Sequence, residues 1–148
     1  MSSDVFIVGA ARTPVGSLQG TLASQTAPQL GAHAIAAALS HADINASDVD
    51  EVVMGNVVSA GLKQAPARQA MRQAKLPDSC GATTINKVCG SGMKAAMIAT
   101  DLIRAGSADT VVAGGMESMS NAPIYWTKHA PGCAWVIPKC STHCLPTA

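Results

Sequence analysis

The chain has 148 residues, a formal net charge of +1 and five cysteines. That length can bury a core of single-domain size, so one domain is the default expectation. The near-neutral charge, with no cluster of Lys and Arg, excludes a nucleic-acid surface, because phosphate binding needs several converging cations. Met1-Ser2-Ser3-Asp4 runs straight into Val5-Phe6-Ile7-Val8, without the basic segment and long apolar core of a signal peptide. No apolar run approaches membrane-spanning length. A cytoplasmic chain with no membrane partner is therefore expected, its cysteines free thiols rather than a disulfide framework.

Residues 5–11 form a short continuous apolar run ended by Arg12-Thr13-Pro14, which predicts a strand buried on both faces. A glycine-containing loop follows. Thr26 can cap a helix, Pro28 suits its first turn, and Leu30, Ala34, Ala37 and Ala38 recur at helical spacing. Residues 50–58 read as a second strand, 66–74 as a short helix ended by Leu76-Pro77, and 82–88 as a third strand. Between Gly90 and Gly106 the chain is apolar nearly all round, which predicts a helix in the protein interior. Residues 109–115 supply a fourth strand. This alternation implies an α/β fold, a largely parallel sheet with helices on both faces.

Cys89 is the candidate catalytic residue. It stands where the third strand gives way, through Gly90 and Gly92, to the apolar helix. A thiol at a helix N-terminus meets unpaired backbone N–H groups and the positive end of the helix dipole, which favour the nucleophilic thiolate. Glycines there let a substrate carbonyl approach backbone donors able to stabilise its developing negative charge. The bland alternative is a small buried hydrophobe, the commoner fate of a free cysteine; position and glycine neighbours favour catalysis.

Beyond Pro123 the character changes. Both tryptophans, the only tyrosine and three of the five cysteines fall in residues 124–148, and the periodicity disappears. Cys133, Cys140, His143 and Cys144 offer zinc-type ligands, but adjacent His143 and Cys144 do not form the usual paired knuckle. Gly114-Gly115 after a strand lacks both Gly-x-Gly-x-x-Gly and a Walker lysine, so close packing explains it better than phosphate binding. No metal site is expected.

Across residues 86–95, Asn-Lys-Val-Cys-Gly-Ser-Gly-Met-Lys-Ala, the sequence resembles the thiolase family, acyltransferases that make or cleave 3-ketoacyl-CoA. Gly9-Ala10-Ala11-Arg12-Thr13-Pro14, Met54-Gly55-Asn56-Val57 with Ala60-Gly61, and the run from Gly114 to Pro123 agree in the same order. The likeness covers residues 5–123 and is closest to the acetyl-CoA acetyltransferase branch. It implies a thiolase-like layered α/β/α fold, N-terminal half only, with a mostly parallel mixed sheet: a thiolase domain over 1–123 and an atypical tail over 124–148. It implies that Cys89 accepts the acyl group, with its own N–H in an oxyanion hole, while two acetyl-CoA are condensed to acetoacetyl-CoA or the reverse thiolysis runs. Coenzyme A thioesters are then substrates, no cofactor is bound, and the intact family member is a homo-oligomer, dimer or tetramer.

The family's Gly-His-Pro histidine, its Asn-Glu-Ala-type segment, its second cysteine and its coenzyme A loop have no counterpart in the 148 residues. His33 and His41 belong with the first helix, and His129 and His143 with the tail, so none takes the activating role. Negligible turnover by the chain alone is expected, and an uncovered apolar face would favour association. A second reading, from another class, is a noncatalytic fragment or pseudogene product that associates with a complete thiolase subunit. The tail itself has a specific explanation. Read one base earlier, from the last base of codon 123, permitted codons spell Tyr-Leu-Leu-Asp-Lys-Ala-Arg-Ala-Gly-Met-Arg-Met-Gly-His, which resembles the family's own continuation. The hypothesis is a frameshift: sequencing the locus should show a one-base change that restores a long thiolase frame, and its absence would refute the idea.

Overall fold

The computed structural model describes residues 4–123. The expected tail and its cysteine and histidine residues lie outside this range. Six longer elements build the described fold: α1 (Ala27–Ala42), β1 (Glu51–Gly55), α2 (Pro66–Gln73), β2 (Gly81–Ile85), α3 (Ser91–Arg104) and β3 (Val111–Gly115). Short 3-10 turns occupy Ala46–Asp48 and Met119–Asn121.

The three strands are parallel in the order β2-β1-β3. Parallel neighbours require crossovers, and the two helices that follow β1 and β2 supply them. Register aligns Gly55 with Ile85 on one side and with Gly115 on the other, so all three strands end at the same level. The loops after them are thereby gathered at one edge, the place where open parallel sheets bind ligands.

Strand side chains alternate between the two faces. Val52 and Met54 join Ile35 and Leu39 of α1 and Ala67, Ala70 and Met71 of α2 in the main core. On the other face α3 lies against β1 and β3. The start of α1 follows its sequence signals closely. Thr26 accepts from the Gln29 N–H and Gln29 Oε1 accepts from the Thr26 N–H, a complete capping box, with Pro28 in the first turn. Its buried face is set by Gly31, Ala32, Ile35 and Leu39 rather than by Leu30, Ala34 and Ala37. Where β1 begins, the carboxylate of Asp50 accepts the N–H groups of Thr110 and Asp109, which hold its pKa below the ordinary value.

Two expectations fail. Residues 5–11 form no strand: Phe6, Ile7 and Val8 are exposed, and no described strand pairs with them. A sequence pattern shows that a strand could be buried but not that a partner edge lies beside it, and here the segment runs over the end of α1 instead. Ala10 hydrogen-bonds to His41 Nδ1 there, and Gly9 faces the carbonyl of Ala38. The sheet accordingly has three described strands rather than four. The helix after Cys89 is not enclosed either. Only Ser91, Ala95 and Ala99 of α3 are buried, whereas Met93 is 75% and Met97 53% exposed. Small residues at i, i+4 and i+8 turn towards the sheet, and no described element covers the large apolar residues on the far side.

Contact between the end of β1 and the start of α3 is tight. A Cβ at Gly55 would stand 2.5 Å from Ser91 Cβ and 2.9 Å from the Ser91 carbonyl carbon. Gly55→Ala is expected to lower the unfolding free energy by about 1–3 kcal/mol, as overpacking against unyielding backbone does. Denaturant titration checks this; an unchanged midpoint and slope would show that α3 is free to move away.

Candidate active site

At the carboxyl ends of the strands lies an open, mainly apolar depression of about 510 Å³, and Cys89 lies on its wall. The other walls come from the segment after β1 (Val57, Val58), from Gly92 at the start of α3, and from Met116 and Glu117 after β3. The thiol is exposed. Cys80, the other described cysteine, is buried, and its pKa is pushed up first by desolvation and then by the charges of Glu51 and Asp50. Burial and a raised pKa both make a thiol inert, so the fold separates the two cysteines chemically.

Cys89 is presented by a strained turn. Residue 90 caps α3, so Cys89 lies one residue before the cap. Val88, immediately ahead of it, has φ +49°. A β-branched residue in the left-handed region is a genuine outlier, costing roughly 1–2 kcal/mol. Hydrogen bonds hold it there. The Val88 N–H donates to Asn86 Oδ1 at 2.9 Å, and the Val88 carbonyl accepts from both the N–H of Ser91 at 3.1 Å and its hydroxyl at 2.7 Å. The same Ser91 Oγ accepts the Lys87 N–H at 2.8 Å, and Ser91 is only 5% exposed. One buried hydroxyl thus ties together both sides of the turn.

The N–H of Gly90 is taken by the Lys87 carbonyl at 3.0 Å, so that glycine does not supply a free donor. The amides of Cys89 and Gly92 have no acceptor among the described residues and border the depression. A carbonyl oxygen brought to the Cys89 thiol would meet these donors.

A second network lies behind Val57 and Val58. The Glu117 carboxylate accepts the N–H of Val57 at 2.9 Å, the N–H of Val58 at 3.1 Å and Asn56 Nδ2 at 2.9 Å. Asn56 Nδ2 also donates to the Met116 carbonyl at 3.1 Å, and Asn56 is 2% exposed. Asn56, Ser91 and Glu117 fall within motifs visible in the sequence, which assigns them no role; a polar residue within two positions of a glycine is the signal they share.

Of the motifs singled out in the sequence, those at residues 54–57, 86–95 and 114–123 each contribute residues to this depression. The one at 9–14 does not; it lies at the end of α1. His33 is exposed on α1, and His41 is engaged with Ala10. Among the described residues no group of three or more His, Cys, Asp or Glu could hold a metal ion, and no helix is long and apolar enough to cross a membrane. Another depression, of about 330 Å³, lies at the opposite end of the strands beside Asp50 and Glu51. It is lined by no cysteine or histidine, and both carboxylates are already engaged, Glu51 by the Thr83 hydroxyl.

A layered α/β unit with an exposed cysteine at a strand-to-helix turn is the class of protein that the fold defines. Comparison with known proteins makes the class specific. The family profile described as "Thiolase, N-terminal domain" matches residues 5–135, and the chain belongs to the thiolase family. It is 57% identical over 129 residues to acetyl-CoA acetyltransferase 2 of Arabidopsis thaliana, covering 87% of this chain and 32% of that protein. Against acetyl-CoA acetyltransferase of Schizosaccharomyces pombe the identity is 54% over 132 residues, 89% of this chain and 33% of that one. Acat5 thiolase from Ascaris suum, solved in complex with coenzyme A, superposes with a TM-score of 0.83 at 42% identity, over 86% of this chain and 34% of its own. The chain therefore spans about a third of the length of these relatives.

Proposed function

We propose that this chain carries the acyl-accepting half of an acetyl-CoA acetyltransferase, with Cys89 as the nucleophile and coenzyme A thioesters as substrates. The observation that carries the reading is an exposed thiol on an apolar depression at a strained turn, beside two unpaired backbone donors. In the acyl-transfer step Cys89 Sγ attacks the thioester carbonyl. A new C–S bond forms, the bond to the coenzyme A sulfur breaks, and the thiol proton leaves with the departing coenzyme A thiol. The negative charge developing on the carbonyl oxygen falls near the amides of Cys89 and Gly92.

Condensation with a second acetyl-CoA needs a base to remove a methyl proton and an acid to complete the exchange. No described histidine reaches the depression, so the residues described support a single acyl transfer rather than turnover. Assembly into a dimer or tetramer belongs to the same proposal and rests on family membership alone.

Incubated with acetyl-CoA, the chain is expected to acquire an acetyl thioester on Cys89, labile to hydroxylamine, with Cys80 unmodified. Peptide mass spectrometry locates it, and Cys89→Ser should abolish it. Acetylation that spares Cys89, or that persists in the serine variant, would refute the assignment. Sustained acetoacetyl-CoA thiolysis by the same 148 residues would refute the restriction to a single transfer.

A further inference from the structure

The geometry points to Glu117 as a positioning residue for Cys89, acting through a relay of hydrogen bonds rather than by touching the acyl group. The inference rests on the reading of Cys89 as the acyl acceptor. It begins with the three donors that converge on one carboxylate, two of them the consecutive backbone amides of Val57 and Val58. Hydrogen bonds to a carboxylate are shorter and stronger than neutral ones, so this segment is pinned to the loop after β3. Val57 and Val58 line the same depression as Cys89.

The pinned segment also reaches the turn. Asn86 Nδ2 donates to the Val57 carbonyl at 3.5 Å, a long contact, and Asn86 Oδ1 accepts the Val88 N–H at 2.9 Å. Glu117 thus fixes Val57, Val57 orients Asn86, and Asn86 holds the left-handed residue that presents Cys89. Asn56 supports the clamp from beneath: it is buried, its Nδ2 is shared between Glu117 and the Met116 carbonyl, and its Oδ1 has no partner among the described residues. The two acceptors around Nδ2 fix which way the amide lies, since turning it would set an oxygen against both.

Glu117→Gln tests the relay with almost no change in shape. Oε1 takes two donors and Oε2 one, so an amide nitrogen at either position opposes an N–H. Two reagents are compared on the 148-residue chain: acetyl-CoA, whose carbonyl must be oriented, and iodoacetamide, which needs only an exposed thiol. The variant should lose roughly ten-fold or more in acetyl transfer to Cys89, the scale expected of a small misplacement. Its alkylation of Cys89 by iodoacetamide should stay within about two-fold, and the buried Cys80 should remain unlabelled as a monitor of folding. Amide exchange at Val57 and Val58 should accelerate.

Equal acetyl transfer in wild type and variant overturns the inference while leaving the acyl-acceptor reading intact. Should Cys80 become labelled, the variant has unfolded, and Asn86→Ala, which cuts the same relay at an exposed residue, decides instead: full acetyl transfer there overturns the inference, and the same split between reagents supports it. A wild-type chain that takes no acetyl group refutes the acyl-acceptor reading itself. Unchanged amide exchange at Val57 and Val58 in Glu117→Gln overturns the clamp whatever the acylation result.

Discussion

The site depends on one buried hydroxyl. Ser91 Oγ accepts the Lys87 N–H and donates to the Val88 carbonyl, and so holds a valine in a backbone conformation that L-residues avoid. Strain of roughly 1–2 kcal/mol is offset by two side-chain hydrogen bonds, each worth about 0.5–1.5 kcal/mol net. Without the turn the chain would run from β2 into α3 along a smoother path, and Cys89 would have no reason to face the depression. Such strain persists only where the surroundings over-determine it.

Those surroundings are the parallel sheet. Because Gly55, Ile85 and Gly115 end in register, three loops meet at one edge, and each contributes something different. The loop after β2 presents the thiol. The segment after β1 forms another wall. The loop after β3 supplies the carboxylate that pins that wall. Gly55 lets Ser91 approach β1 closely enough for α3 to start at this level, since any Cβ there would strike Ser91. Close packing at a glycine and strain at a valine are thus two ends of one arrangement.

Much of the fold was legible in the sequence, for identifiable reasons. Thr26, Gln29 and Pro28 announce the start of α1 through local hydrogen bonds and backbone restriction, which depend on no distant partner. Short runs rich in β-branched residues mark β1 to β3 within a few residues, with glycine ending β1 and β3. What failed depended on neighbours. Val5 to Ala11 has the composition of a buried strand, but pairing is a property of two segments, and the described residues hold no second. The helix after Cys89 reads as interior because Met93 and Met97 are apolar, whereas only its small residues meet the sheet. At the site, the place of Cys89 at a strand-to-helix turn was legible because the strand and helix signals around it are local. The contacts of Asn56 and Glu117 were not, because they join segments far apart in the chain, 61 residues for the Asn56 to Glu117 bond; Ser91 acts locally, on Lys87 and Val88, but only once the turn has formed.

The chain belongs to the thiolase family and spans about a third of the length of its relatives, and the depression beside Cys89 is lined by residues between 55 and 119. Its geometry is therefore testable without the remainder of the fold. The most direct measurement is a crystal structure of the Ser91→Ala variant. The account predicts that Val88 returns to negative φ and that the Cys89 thiol turns out of the depression; Val88 remaining near φ +49°, with Cys89 in place, would contradict the claim that this hydroxyl holds the turn.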